Sequence, residues 1–326
     1  MAAAEQIKSL IKSFADGDEA RFYATAMQIA ASEARNGHLM LAEELKKIID
    51  KAKSEKSLNL GVVKTLPQNA AQKELKDLLE LLHPKEKLKD MVLKPYLEKS
   101  LKRVIDEQRK SELLRQNNLL PRKKLLFIGP PGCGKTMSAG VLASELGLPL
   151  FVVRLDGLIS RYMGESISKL RLIFEAMYQM KAVYLFDEFD SIGTTRNNSN
   201  DLGEIKRVLN TFLMQIEKDD SNSLIIAATN LPEHLDKALL RRFDDIIKFP
   251  YPDKQEIIKL YKRELDELKK SKEFDLNTIA EQSIGLSFAE IHLICEDITK
   301  DFLVYGSEEV SQEKLLSYAE NRKQPF

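Results

Sequence analysis

From residue 124 to residue 230 the chain alternates between short apolar runs and longer stretches with helical periodicity. The runs are rich in β-branched and aromatic residues: KLLFIG, LFVVRL, AVYLFD and SLIIAATN. The intervening stretches, such as SISKLRLIFEAMYQM, place apolar residues three and four positions apart. Nearly continuous apolar strands that alternate with helices are typical of a parallel sheet covered on both faces. We therefore expect an α/β domain built on a parallel sheet.

The loop after the first run, GPPGCGKT at 129–136, matches the pattern G-x-x-x-x-G-K-[ST] between a strand and a helix. Its glycines let the backbone curl around phosphate groups, so that N–H groups and the helix N-terminus face the anion. Lys135 is placed to reach the β- and γ-phosphates, and the Thr136 hydroxyl can ligate Mg²⁺. The predicted nucleotide contacts are Gly129, Pro130, Pro131, Gly132, Cys133, Gly134, Lys135, Thr136 and Met137.

Polar residues also end two later strands. VYLFDE at 183–188 ends in two acids, and AATN ends in Asn230. Open α/β sheets bind ligands at the carboxyl ends of their strands. Asp187 is suited to orient the Mg²⁺ shell, Glu188 to activate the attacking water, and Asn230 to hydrogen-bond the γ-phosphate and that water. The alternatives are solvated acids at an ordinary strand end and an asparagine that serves only a turn.

The charge balance bears on the class of partner. Lysine plus arginine and aspartate plus glutamate each number 50 among 326 residues, so the formal net charge is zero. A protein whose main work is to grip a phosphate backbone usually carries a basic excess. Only 99–124 is locally basic. A solvated helical face is the simpler interpretation of that stretch, and a nucleic-acid patch is the alternative.

The two cysteines, Cys133 and Cys295, have no metal-binding spacing, which favours a reducing compartment. We interpret Cys133 as a small filler of its loop, with a redox role as the alternative. The first thirty residues lack the pattern of a signal peptide, and no apolar run approaches the ~18–20 residues of a membrane helix. We therefore expect a cytoplasmic protein.

The flanking regions have a helical pattern. Residues 1–53 predict a small helical unit, SEKSLNLG at 54–61 predicts a linker, and 61–122 predicts long, charged amphipathic helices. From about 253 onward the apolar runs stop and only helical patterns remain. We therefore expect an N-terminal helical region at 1–58, an α/β domain at 59–250 and a C-terminal helical lid at 251–326.

Together these motifs resemble those of the AAA+ ATPases, specifically the AAA clade that includes katanin, spastin and unfoldases, in its stand-alone, single-ring form. The resemblance spans about 75–322, with Walker A at 129–136, Walker B at 183–188, sensor 1 at Asn230, an arginine-finger region at 236–245 and a lid motif at 284–295. It implies a five-stranded P-loop NTPase sheet with a C-terminal helical lid, ATP and Mg²⁺ as cofactors, and hydrolysis of ATP to ADP and phosphate. It also implies a homo-oligomeric ring, usually a hexamer, with ATP between subunits.

Two positions depart from the usual pattern of the family. Arg241 and Arg242 are adjacent, whereas the family usually separates its two arginines by two or three residues. The resemblance implies that these arginines reach the γ-phosphate bound by the neighbouring subunit, and Arg242, directly before Phe-Asp, aligns more securely. Phe288 replaces a glycine of the lid motif at a position near the adenine in relatives, which implies a different pocket shape.

The resemblance also gives a role to the stretch SRYMGES at 160–166. Relatives carry an aromatic–hydrophobic–glycine loop there that projects into the central channel, so Tyr162 and Met163 are predicted to contact a protein substrate. Tyrosine offers flat apolar area and methionine an adaptable side chain. The alternative is that both side chains fold back onto the core.

The predicted function is remodelling, unfolding or disassembly of proteins threaded past these loops. The N-terminal helices would be an adaptor or docking module, or alternatively an extension that stabilises the ring. No protease motif is present, so any protease would be a separate partner. A nucleic-acid motor or clamp-loader-like switch is the main alternative. A regulatory scaffold with slow turnover and a small-molecule kinase are weaker ones.

Overall fold

The computed structural model describes residues 19–35, 37–38, 40–47, 49, 70–158, 165–190, 201–235, 237–266, 268–270, 274–306 and 309–323. The chain divides into two compact units, Met1–Gln68 and Asn69–Phe326. In the first unit, α1 spans Glu19–Arg35 and residues 40–47 are also helical. Gly37, with φ +91°, lies between these two helices, a backbone conformation that favours glycine. The described part of this unit is helical, as its periodicity predicts.

The second unit is built on a six-stranded sheet whose strand order is β1-β3-β4-β5-β2-β6. The strands are β1 Leu79–Leu82, β2 Lys124–Ile128, β3 Leu150–Val153, β4 Val183–Phe186, β5 Leu224–Thr229 and β6 Asp245–Lys248. All neighbouring pairs are parallel except β1 and β3. The carboxyl ends of β2, β4 and β5 therefore lie at the same edge of the sheet, where the three predicted site motifs begin.

The helices of the second unit fall into two groups, one around the sheet and one after it. Around the sheet lie α2 Ala70–Leu78, α3 Pro95–Arg109, α4 Ser111–Gln116, α5 Lys135–Leu146, α6 Leu155–Leu158, α7 Glu165–Gln179, α8 Asp201–Lys218 and α9 Lys237–Leu240. The lid comprises α10 Lys254–Glu264, α11 Leu276–Gln282, α12 Phe288–Tyr305 and α13 Gln312–Lys323. In the part of the chain that the structure describes, no helix is both long and apolar enough to cross a membrane.

The expected P-loop NTPase fold, a five-stranded parallel sheet followed by a helical lid, is confirmed, and the sheet has one additional strand. The four predicted strands correspond to β2–β5, and β6 completes the parallel part. The additional strand, β1, lies in a stretch that was predicted to be helical, and that local prediction is wrong. Leu79–Leu82 pairs antiparallel with the edge strand β3, and Arg154 N donates to Leu78 O across 2.9 Å. Tertiary pairing thus overrides the local helical pattern.

Sheet and lid have separate hydrophobic cores. Every residue of β4 and β5 is buried, as expected for central strands of a doubly covered sheet. An aromatic cluster of Phe174, Phe186, Phe189 and Phe212 joins β4 to the helices on one face, with ring centroids 4.7–6.3 Å apart. The lid packs around its own cluster, which includes Tyr261, Ile291 and Leu315.

Candidate active site

The loop between β2 and α5 has a backbone that requires glycine. Gly129 has φ +153°, and a Cβ on it would lie 2.0 Å from the Phe249 carbonyl oxygen. Gly132 has φ +71°, and a Cβ there would lie 2.6 Å from Ser287 Oγ at the start of α12. The Ala289 N–H also donates to Gly132 O across 3.1 Å. The loop is therefore packed directly against the first turn of a lid helix.

Lys135 is the buried cation of this loop. Its ammonium donates to Gly129 O at 2.7 Å, Pro130 O at 2.8 Å and Asn230 Oδ1 at 2.7 Å. Burial lowers the pKa of Lys135 from its ordinary value. Three acceptors use its three hydrogens, so a phosphate oxygen would take the place of one of them. The structure thus brings Lys135 and Asn230 together, although 95 residues separate them in the chain.

Thr136 and Asp187 form the pair predicted to hold a metal ion. The Thr136 hydroxyl donates to Asp187 Oδ2 across 2.6 Å. Mg²⁺ prefers hydroxyl, carboxylate and phosphate oxygens, and these two side chains present such oxygens side by side beside the phosphate-binding loop. The residues therefore fit a Mg²⁺–nucleotide complex, in which the ion would neutralise charge on the terminal phosphates.

Glu188 follows in a turn with an unusual backbone. Its φ is +49°, in the left-handed region that residues other than glycine seldom occupy. Its N–H donates to Asp187 Oδ1 across 2.9 Å, and the side chain is exposed. Non-glycine residues in this region are often found where a side chain must be aimed at a site. Here the turn presents the second carboxylate to a cavity beside the phosphate-binding loop.

A cavity of about 670 Å³ lies between the carboxyl edge of the sheet and the lid. Its phosphate-binding end is lined by predicted site residues: Pro131, Gly132, Cys133, Gly134, Lys135, Thr136, Met137, Asp187, Glu188 and Asn230. Gly129 and Pro130 contribute instead the carbonyl groups that bond Lys135. Burial raises the pKa of Cys133 to about 11, which favours its interpretation as a filler of the loop over a redox role.

The other end of the cavity was not predicted in detail from the sequence. Met91, Val92 and Leu93 line it from the segment before α3, and Leu260, Arg263, Glu264, Phe288 and His292 line it from the lid. His292 Nδ1 lies 3.1 Å from Glu264 Oε2, and the Arg263 guanidinium donates to Glu264 and to the Asp90 carbonyl. Only Phe288 carried a signal, as a departure from the lid motif. The others are assembled from three distant segments, which no local pattern connects.

The predicted arginine fingers lie elsewhere. Arg241 and Arg242 are exposed in the turn after α9, and within the described residues neither lines the cavity. Arg242 pairs with Glu217 across 3.0 Å. An arginine that acts on a neighbouring subunit must lie on an outer surface, so this position suits the predicted role, which stays a prediction. Tyr162 and Met163 lie outside the described residues.

The comparison of solved structures supports the fold. The crystal structure of the FIGL-1 AAA domain superposes with a TM-score of 0.63 and 21% sequence identity, covering 81% of this chain and 92% of that one. Two relatives match only in part. The Caenorhabditis elegans protein mei-1, a meiotic spindle formation protein, is 36% identical over 181 residues, and a katanin p60-like ATPase of Rattus norvegicus is 37% identical over 187 residues. Each match covers 54% of this chain and 38% of the relative.

Two further comparisons cover the ATPase motifs and the whole chain. Residues 125–251 match the family described as "ATPase family associated with various cellular activities (AAA)". The AAA family ATPase y4kL of Sinorhizobium fredii is 35% identical over 315 residues, which covers 96% of this chain and 93% of that protein. These matches include the loop, the two acids and the asparagine that the structure gathers around one cavity. The chain therefore belongs to the AAA family of ATPases, enzymes that bind and hydrolyse ATP.

Proposed function

We propose that this ATPase remodels protein substrates, using ATP hydrolysis to unfold or disassemble them. The observation that carries the proposal is the contact between the phosphate-binding loop and the lid. Gly132 O accepts a hydrogen bond from Ala289 N in the first turn of α12, and Gly132 packs against Ser287. This hydrogen bond would pass a change at the phosphates to the lid, as a motor requires.

The geometry of the site supports the proposed hydrolytic roles. Lys135 binds the terminal phosphates, and Thr136 with Asp187 would hold Mg²⁺. Glu188 takes the proton of the attacking water or orients it, since it is the exposed carboxylate next to the metal-binding pair. Asn230 hydrogen-bonds the γ-phosphate or that water, because its amide already lies 2.7 Å from the Lys135 ammonium.

The remodelling step rests on relatives and on two sequence motifs. Mei-1 and the katanin p60-like ATPase are named for the meiotic spindle and for katanin, which supports a protein assembly as substrate, although the matches cover only 38% of their length. We assign Arg242, with Arg241 beside it, to the neighbouring subunit's site in a homo-oligomeric ring, with six subunits as the expected number. We assign Tyr162 and Met163 to the loop that contacts the protein substrate in the central channel of this ring. Any adaptor or protease would be a separate chain.

The nucleic-acid alternative is not favoured by the structure of the basic stretch. Within the described residues, five of its nine cations pair with acids: Lys102 with Glu98, Arg103 and Arg122 with Glu107, Arg109 with Glu145, and Lys123 with Asp219. Paired cations on a helical face release few counterions on binding a phosphate backbone. The basic stretch thus matches its simpler interpretation as a solvated face.

A pair of variants tests the proposal. Glu188→Gln should retain ATP binding while turnover falls by on the order of 10²-fold or more, because the carboxylate acts only in the transition state. Tyr162→Ala should keep ATP turnover within about twofold but abolish unfolding of a fluorescent protein that carries an unstructured tail. Tyr305→Ala is the matched control, since Tyr305 is an exposed tyrosine at the end of α12, 75% accessible. If Tyr162→Ala still unfolds the fluorescent protein, the role of Tyr162 in contacting substrate is refuted. Unchanged ATP turnover in Glu188→Gln would refute the role of Glu188.

A further inference from the structure

Asp190 has no proposed role in hydrolysis so far, yet it lies at the carboxyl edge of the sheet, where it connects the end of β4 to the end of β5. It directly follows the turn at 187–189 and is partly buried. Its Oδ1 accepts two hydrogen bonds, from the Thr229 hydroxyl at 2.9 Å and from the Asn230 N–H at 3.2 Å. The same carboxylate oxygen thus holds both residues at the end of β5.

The residue before it supplies a second anchor. Phe189 N donates to Ala228 O across 2.8 Å, and the Phe189 ring is buried with its centroid 4.7 Å from that of Phe212. At its other end the turn is held to the phosphate-binding loop by the bond between Asp187 and Thr136. Glu188 therefore lies between two residues, Asp187 and Phe189, that are each hydrogen-bonded to another element. These two contacts explain how the left-handed backbone of Glu188 is maintained.

A chain of hydrogen bonds continues from Asp190 into the site. The Asn230 backbone donates to Asp190, while the Asn230 side chain accepts from the Lys135 ammonium at 2.7 Å. Thr229 Oγ1 in turn accepts from Leu231 N at 3.0 Å, which fixes the backbone on the far side of Asn230. Within the described residues, Asp190 itself does not line the cavity.

We propose that Asp190 is a positioning residue for ATP hydrolysis, which sets Glu188 after β4 and Asn230 after β5 at a fixed separation across the γ-phosphate. The two hydrolytic groups come from neighbouring strands, and Asp190 is the side chain that binds the end of one strand to the end of the other. Positioning of this kind affects the transition state more than the bound nucleotide, since a displacement of about 1 Å can cost about 10²-fold in rate. The inference rests on the roles of Glu188 and Asn230 but not on protein remodelling.

The experiment compares steady-state ATP turnover with the affinity for a fluorescent ATP analogue. Asp190→Ala should lower kcat by about 10–100-fold and leave the dissociation constant within about threefold. Asp190→Asn keeps an oxygen acceptor for both hydrogen bonds, so it should recover most of the lost kcat. Thr229→Val removes the hydroxyl donor and keeps the shape. Because the two changes break one network, the double variant should lose much less than the product of the two single losses.

Asp275→Ala is the matched control. Asp275 accepts hydrogen bonds from the Thr278 hydroxyl at 2.6 Å and from the Asn277 and Thr278 N–H groups, but it caps α11 in the lid. It should lower thermal stability, with kcat within about twofold of the wild type, because within the described residues neither Asp275 nor α11 lines the cavity.

Each outcome is decisive. Wild-type kcat in Asp190→Ala, an equal loss in Asp275→Ala, or multiplying losses in the double variant would each overturn the inference. If Asp190→Ala does not fold, Thr229→Val with the same readout decides. Glu188→Gln and Asn230→Ala, measured in parallel, distinguish a failure of the site assignment from a failure of the role proposed for Asp190. If they do not reduce turnover, the site assignment fails, whereas if they do and Asp190→Ala does not, only this inference fails.

Discussion

The missing side chain of Gly132 is what allows the phosphate-binding loop to approach the lid. A Cβ there would lie 2.6 Å from Ser287 Oγ and 3.0 Å from Ala289 Cβ, and the residue has φ +71°. Both the backbone conformation and the contact exclude a larger residue. The loop motif alone explains the first restriction, since it needs a left-handed residue. The second comes from the lid, which no feature of the motif predicts.

Gly132→Ala separates these two effects. We expect a loss of about 1–3 kcal/mol in the free energy of unfolding, from the left-handed backbone, and at least a ~10-fold loss of ATP affinity, because the loop must move away from the lid. Gly147→Ala is the control, since Gly147 has φ +64° but a Cβ on it would meet nothing within 4 Å. Urea unfolding and titration of a fluorescent ATP analogue measure both quantities. Equal ATP affinities in the two variants would show that the contact with the lid is unimportant for binding.

At the scale of elements, the strands that could be predicted are those that are buried on both faces, because their own residues are then nearly all apolar. β4 and β5 are buried along their whole length, so a continuous apolar run identifies them. β1 is different, since only Leu79 among its four residues is buried and its pattern suits a helix equally well. Its conformation is decided by the distant strand β3, through pairs such as Leu79 with Val153 and Leu82 with Leu150. Pairing at a sheet edge is a non-local property, and local periodicity does not contain it.

The lid begins with a helix whose first turn is tied to the segment before α3. Asp253 caps α10 by accepting from Glu256 N at 3.0 Å, and Asp253 N donates to Glu256 Oε2 at 2.9 Å. The Lys94 ammonium lies 3.4 Å from Asp253 and 3.7 Å from the buried Glu256 carboxylate. The hydrogen bond from the Glu256 backbone lowers the pKa of Asp253, and burial raises the pKa of Glu256.

Asp253→Ala should therefore destabilise the protein by about 1 kcal/mol at neutral pH, the usual value of an N-cap, with little added by the exposed ion pair. Since the folded-state pKa of Asp253 is lowered, its charge stabilises fully above the ordinary aspartate pKa. That contribution is lost as the pH falls through the lowered value. The difference between variant and wild type in urea unfolding should thus stay constant from about pH 7 to about pH 5 and shrink as the pH falls below the ordinary aspartate pKa of about 3.9. Asp253→Asn keeps the cap acceptor and serves as the control. A difference that grows on acidification would contradict the assignment.

At the scale of the whole molecule, the site residues differ in how far the sequence could predict them. Lys135, Thr136, Asp187, Glu188 and Asn230 could be predicted because each follows a recognisable strand, and the parallel sheet gathers the strand ends. The end of the cavity that lies away from the phosphate-binding loop could not be predicted, because it is formed where three distant segments meet. Arg242 is a third case. Its exposed position beside Glu217 is known, but its proposed target lies on another copy of the chain.

A ring in which Arg242 acts on its neighbour makes a quantitative prediction for mixed subunits. Arg242→Ala has an intact nucleotide site and lacks the finger, whereas Glu188→Gln binds ATP and keeps the finger. Each alone should be nearly inactive, with the arginine worth ~10³–10⁵ in rate in related enzymes. In a random equal mixture, half of the sites belong to Arg242→Ala and half of those face a Glu188→Gln neighbour. About a quarter of all sites are then complete, in a closed head-to-tail ring.

We therefore expect the mixture to recover up to about a quarter of the wild-type ATP turnover, well above the mean of the two separate variants. The control mixes Arg242→Ala with the double variant Glu188→Gln/Arg242→Ala, which supplies neither a finger nor a base, and should recover nothing. Mixing Arg241→Ala with Glu188→Gln tests whether the adjacent arginine shares this role. If it does, Arg241→Ala alone should also be nearly inactive, and the mixture should recover the same fraction of the wild-type turnover. Turnover equal to the mean of the separate variants would mean that the arginine acts within its own chain or not at all, and that a ring is not needed to complete the site.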